Sequence, residues 1–73
     1  MPRFCKRPVE IEAVRVTRPM TVETLEGTLR VEPGAWLITG VQGEQYPCAD
    51  AIFRATYVPV DDAAVKAFEE VQA

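Results

Sequence analysis

The eleven residues TVETLEGTLRV, positions 21–31, constrain this chain more than any other stretch. Apolar or β-branched residues alternate with polar ones on both sides of Glu26-Gly27, which is the pattern of a β-hairpin. With Glu26-Gly27 as a two-residue loop, Leu25 faces Thr28, Thr24 faces Leu29, Glu23 faces Arg30 and Val22 faces Val31. That register gathers Val22, Thr24, Leu29 and Val31 on one face. It also sets up an opposite-charge pair, Glu23–Arg30, of about 0.2–1 kcal/mol.

The flanking segments read as further short strands. Positions 8–17, PVEIEAVRVT, alternate β-branched residues with charge. Val9 and Ile11 share one face while Val14 and Val16 share the other. The phase therefore slips near Ala13, through a bulge or through a change in which side of the strand is covered. Pro33-Gly34 fits a type II turn, because proline fixes φ at the first corner and glycine accepts positive φ at the second. In AWLITGV, positions 35–41, Trp36 and Ile38 face opposite to Leu37 and Thr39. Gly40 and Gly43 bracket another reversal into EQYPC, where Pro47 ends the strand or confines it to an edge. ADAIFRATYVPV, positions 49–60, reads as one helical turn through Ile52 and Phe53, then a short strand through Tyr57 and Val58.

The tail carries helix-starting chemistry, which places a C-terminal helix at 61–72. Asp61 is the N-cap, Asp62 adds negative charge to the first turn, and Val60 is placed to pack on Val65 as a hydrophobic staple. Ala64, Val65, Phe68 and Val71 form an apolar stripe at helical spacing. About three turns are marginal alone, so the stripe must dock on the domain's own sheet or on a second copy as a homodimer.

Size and composition close off much else. A chain of 73 residues makes one domain, positions 1–73, with a thin core; such a chain buries only about 60% of its unfolded surface. There is no histidine and no serine, so neither a Ser-His nor a Cys-His dyad exists. Asp61-Asp62 and Glu69-Glu70 read as cap and solvated helix face rather than as an acid and base. GVQGEQ lacks the neighbours of a phosphate cradle. Cys5 and Cys48 are too few for a disulfide framework and lack a spacing that would hold zinc, so two free thiols are expected, with Cys48 mostly buried and structural. The reading is a protein with no catalytic residues, no cofactor and no metal. No apolar run has membrane-spanning length and the basic opening lacks a signal peptide's apolar block, which points to the cytoplasm.

Two groups of residues are candidates for binding. Through Arg18 the chain carries Arg3, Lys6, Arg7, Arg15 and Arg18 against Glu10 and Glu12, whereas from Pro19 onward three basic residues face nine acids. The basic segment at 1–7 and the two arginines beyond it can solubilise the chain or face an anion such as nucleic acid. Trp36, Tyr46, Phe53 and Tyr57 form either core or a recognition surface. With only Arg54 among them, a stacking platform for single-stranded nucleic acid is poorly served. Exposed, Trp36, Tyr46, Phe53, Arg54 and Tyr57 would instead make a protein–protein hot spot.

Read in order, LEGTLRVEPGAWLITGVQGEQYPCADAIFRATY resembles a family of small uncharacterised tailed-phage and prophage proteins. Those open with a lysine-proline and "EAVR"-like strand, then carry a "TLEGTMRV"-like hairpin, "PGDW", "GVKGEFYPC" and an ending like "PDIFEATYE". The matches here run through positions 8–16, 25–31, 33–34, 36–48 and 52–57. Ala35 replaces the family's aspartate, and Asp50-Ala51 replaces its proline-aspartate. Longer members insert a helix where this chain has Arg18-Pro19-Met20, and the helix after Pro59 lies beyond the usual ending. The resemblance implies a phage or prophage origin and a compact fold, and no activity. The combined expectation is an α+β, mainly β domain. About five short antiparallel strands form a curled sheet or partly open barrel, with a helical turn and a C-terminal helix. Its expected role is that of a non-enzymatic accessory protein binding a protein partner, with a small nucleic-acid-binding module as the alternative.

Overall fold

The computed structural model describes residues 1–70. Five strands and two helices follow in the order β1 (Glu12–Arg15), β2 (Met20–Thr24), β3 (Gly27–Val31), β4 (Trp36–Thr39), β5 (Gln45–Cys48), α1 (Asp50–Thr56) and α2 (Asp62–Glu70). The mainly β, α+β expectation holds, but the strands divide into two antiparallel sheets and do not close a barrel. One sheet has the order β1-β4-β5; the other is the β2-β3 hairpin.

The hairpin forms two residues out of the expected register. Val22 faces Leu29, Glu23 faces Thr28 and Thr24 faces Gly27, so Leu25-Glu26 is the loop. Thr24 sets this turn. Its hydroxyl donates to the Gly27 carbonyl at 2.9 Å and accepts the Glu26 N–H at 3.1 Å, a local side-chain turn of the kind threonine makes. Positive φ then falls on Gly27 (109°), just past the loop. A shift of two preserves the faces, so Val22 and Val31 still point inward. It does separate Glu23 from Arg30. Glu23 instead accepts from the Thr28 hydroxyl at 2.6 Å, and Arg30 pairs with Glu32 at 2.6 Å.

The first strand is shorter than 8–17 because its partner is short. Glu12 pairs with Thr39, the last residue of β4, and the ladder ends there. No bulge interrupts β1. The ladder instead continues beyond it, with Val16 N–H donating to Ala35 O at 2.8 Å and Gly34 N–H to Val16 O at 2.9 Å. The phase slip reflects two covered faces. Val16 and Leu37 pack with Val22 and Val31 of the hairpin, whereas Ile11 and Ala13 pack with Trp36, Ile38 and Phe53 on the other side. The three-stranded sheet therefore lies between the hairpin and the helices. Burying Ile38 this fully contributes on the order of 1.5–3 kcal/mol.

Turn chemistry follows the sequence elsewhere. Gly34 has φ 101° and Ala35 N–H reaches Glu32 O, as the Pro33-Gly34 turn requires. Pro47 sits inside the edge strand β5. Gly40 N–H bonds Glu44 O, so by alternation Tyr46 and Cys48 bond inward to β4 and the proline nitrogen faces out, where no donor is needed.

Both helices differ in detail from expectation. α1 runs two turns, and Tyr57 caps it by donating its N–H to Phe53 O, so Tyr57 and Val58 are extended without forming a strand. An i,i+4 pair, Asp50–Arg54 at 3.1 Å, supports the second turn. α2 starts as expected: Asp61 Oδ1 accepts the Ala64 N–H at 2.8 Å. Ala67 and Phe68 dock on the domain's own core. Val60 and Val65, placed by the sequence to pack as a staple, are both exposed. Val71 and the end of the expected helix lie outside the described residues.

Candidate partner-binding and anion-facing surfaces

The five residues singled out for partner binding come together, but mostly as core. Trp36 is 2% exposed and Phe53 5%, and their rings stack at 4.4 Å between centroids. Phe68 meets both edge-on at 5.6 and 5.8 Å, and Tyr57 stacks on Phe53 at 4.9 Å. These offset and edge-to-face arrangements are favoured by the ring quadrupoles and add about 0.5–1.5 kcal/mol per pair beyond area burial. Trp36 and Phe53 are thus closed to a partner. The cause is topological: Trp36 lies on the central strand, and α1 folds directly over it.

One carboxylate fastens this cluster. Asp50, at the start of α1, accepts the Trp36 indole N–H at 2.8 Å and the Arg54 Nε at 3.1 and 3.3 Å. The indole N–H first, then the Arg54 and Arg15 guanidinium groups, hold its carboxyl below the usual range despite partial burial. Arg54 extends the chain of contacts. Its Nη2 donates to Phe68 O at 2.9 Å and its guanidinium lies 4.7 Å from the Phe68 ring centroid. Arg54 is therefore committed to holding α1 and α2 together. Phe68 docks here as its place in the apolar stripe of the tail helix leads one to expect, whereas nothing in the sequence singles out Asp50 as the acceptor for Trp36. The i,i+4 spacing of Asp50 and Arg54 signals their pairing, whereas the reach to Trp36 depends on the fold.

The two tyrosines form the accessible end of the cluster, both half-buried. The Tyr57 hydroxyl accepts from the Lys6 ammonium, which also lies 4.1 Å from the centre of the Tyr57 ring. Lys6, together with the Tyr46 hydroxyl, draws the Tyr57 phenol below its ordinary value. The Tyr46 phenol, hydrogen-bonded to Tyr57 and partly desolvated, is pushed up to about 12. Cys48 packs against the same cluster, half-buried with a free thiol, and Cys5 is exposed and free.

The five basic candidates do not share a face. Arg3, Lys6 and Arg7 lie on the exposed segment before β1, and Lys6 is engaged with Tyr57. Arg18 is exposed at the bend before β2. Arg15 turns inward, with its guanidinium 5.8 Å from the Trp36 ring centroid and a buried Nε that has no hydrogen-bond partner. The β-strand period puts Arg15 beside Ile11 and Ala13, on the side the helices cover. Among the described residues no helix is long and apolar enough to cross a membrane. No protein-family model, curated protein or solved structure matches the chain.

Proposed function

We propose that this chain is a non-enzymatic accessory protein of a tailed phage or prophage, acting in the bacterial host's cytoplasm by binding a protein partner. The family resemblance supplies the habitat. The observation that carries the binding reading is the outer side of the segment from α1 into its following connector. There Ile52 and Val58 are exposed, and Tyr57, next to Val58 in the chain, is half-buried. Exposed aliphatic groups near an amphipathic tyrosine match the composition of a protein interface. In this reading Tyr46 and Tyr57 take part in recognition, over a core that includes Trp36 and Phe53.

The test is affinity capture from phage-infected bacteria with the wild type and an Ile52→Asp/Val58→Asp variant of unchanged circular dichroism. One protein retained by the wild type and lost by the variant is the expected result. Repeated recovery of none contradicts the reading.

The alternative, a nucleic-acid module, rests on Arg3, Lys6, Arg7 and Arg18, since Arg15 is turned in. It expects binding that falls steeply with salt. Absence of a gel shift at low salt ends it.

A further inference from the structure

An open groove of about 340 Å³ lies where the start of β1, the β4–β5 turn and the start of α2 meet. Three carboxylates, Glu10, Glu12 and Asp61, line it together with Ile11, Val41 and Val60, and no cationic side chain does. None of the three acids belongs to either ion pair found among the described residues. Val41 and Val60 are 70% and 63% exposed, so the groove offers both negative charge and uncovered apolar surface.

The chain also carries the complement of this groove. Residues 1–7 contain Arg3, Lys6 and Arg7 and no acid. Phe4 is 95% exposed with nothing packed on it. The segment does not occupy the groove of its own chain. Val9 N–H bonds Arg7 O at 2.9 Å across Pro8, and Lys6 is seated on Tyr57, so the chain leaves toward α1. With Lys6 held there, the five residues before it span up to about 17 Å when extended.

We propose that the groove receives the Arg3-Phe4 segment of a second copy. Arg3 meets Glu10 and Glu12, Phe4 covers Val41 and Val60, and two copies exchange these segments reciprocally, as a two-fold interface requires. Neither Ile52 nor Val58 lines the groove, and the variants below leave both unchanged. The dimer therefore stands or falls separately from the partner reading above.

Sedimentation equilibrium of the full chain tests it. Concentration-dependent dimerisation that weakens at high salt is expected. Arg3→Glu alone should raise the dimer dissociation constant at least about tenfold, and so should Glu10→Lys/Glu12→Lys alone. An equimolar mixture of the two variants should recover association, which no loss of folding can mimic. Glu10→Gln/Glu12→Gln provides a milder groove variant, with weakening expected in the same direction. A monomer at every concentration would overturn the proposal. So would a dimer indifferent to these changes and broken instead by Val65→Lys, which would locate the contact on α2.

Discussion

The Trp36 indole N–H donates to Asp50 Oδ1 at 2.8 Å, joining the central strand of the sheet to the first turn of α1. Trp36 is the sole tryptophan and nearly fully buried, so its N–H would be costly to leave without an acceptor. The same carboxylate holds Arg54, which in turn holds the carbonyl of Phe68 on α2. The Trp36 side chain of the sheet and the Phe68 backbone of α2 are thus linked through Asp50 and Arg54 of α1.

Asp50→Asn should destabilise the domain in a pH-dependent way. The folded-state pKa of Asp50 is depressed, so its contribution is present above the unfolded value of about 4 and is lost as pH falls through the folded value. Urea midpoints of wild type and variant should differ most near neutrality and converge below about pH 4. A constant gap across that range would show that the charge is not what matters.

Tyr46 and Tyr57 should titrate as a pair in two separated steps. Lys6 favours the Tyr57 phenolate, placing the first step below the ordinary value of about 10. The second step lies near 12, as the bond to Tyr57 raises Tyr46. Phenolate absorbance reads both steps. Lys6→Met should move the first step upward, toward the second. The linkage signs are opposite: the Tyr57 shift favours the fold increasingly as pH rises toward 10. The Tyr46 contribution is full below 10 and is lost as pH rises toward 12.

Leu37→Ala should cost about 2–5 kcal/mol, because Leu37 fills the contact between the sheet and Val16, Val22 and Val31. The loss should act first on the hairpin, whose cover this cluster is. Hydrogen exchange should show β2 and β3 amides losing protection before those of β4. Uniform loss across both sheets would show that the hairpin does not open separately.

Much of this architecture is legible in the sequence where the cause is local. Asp61 caps α2, Gly34 takes the positive φ that Pro33-Gly34 announces, and Pro47 falls on an edge. The hairpin itself is legible too, but its register turned on the Thr24 hydroxyl, whose turn outcompeted a loop centred on Glu26-Gly27. Of the two readings open to the aromatic residues, core and recognition surface, the core one holds for Trp36 and Phe53. Composition does not reveal that α1 folds over β4, and that placement alone buries Trp36 and Phe53. The hub at Asp50 was equally hidden, since 14 positions separate it from Trp36.

Gly34→Ala should cost about 1–2 kcal/mol, since an L-residue is disfavoured at a φ of 101°. A Cβ there would meet Arg15 Nη2 at 3.7 Å, an ordinary contact, so the cost is one of backbone conformation rather than clash. Thermal or urea denaturation measures it. An unchanged midpoint would mean the turn relaxes to another geometry.

The aromatic cluster is a core fastened by Asp50. Quenching of Trp36 fluorescence by acrylamide and iodide tests this most directly. A blue-shifted emission, shielded from both quenchers in the wild type and becoming accessible in Asp50→Ala, is the predicted result. Free quenching of the wild-type indole, at the level of the unfolded chain, would contradict it.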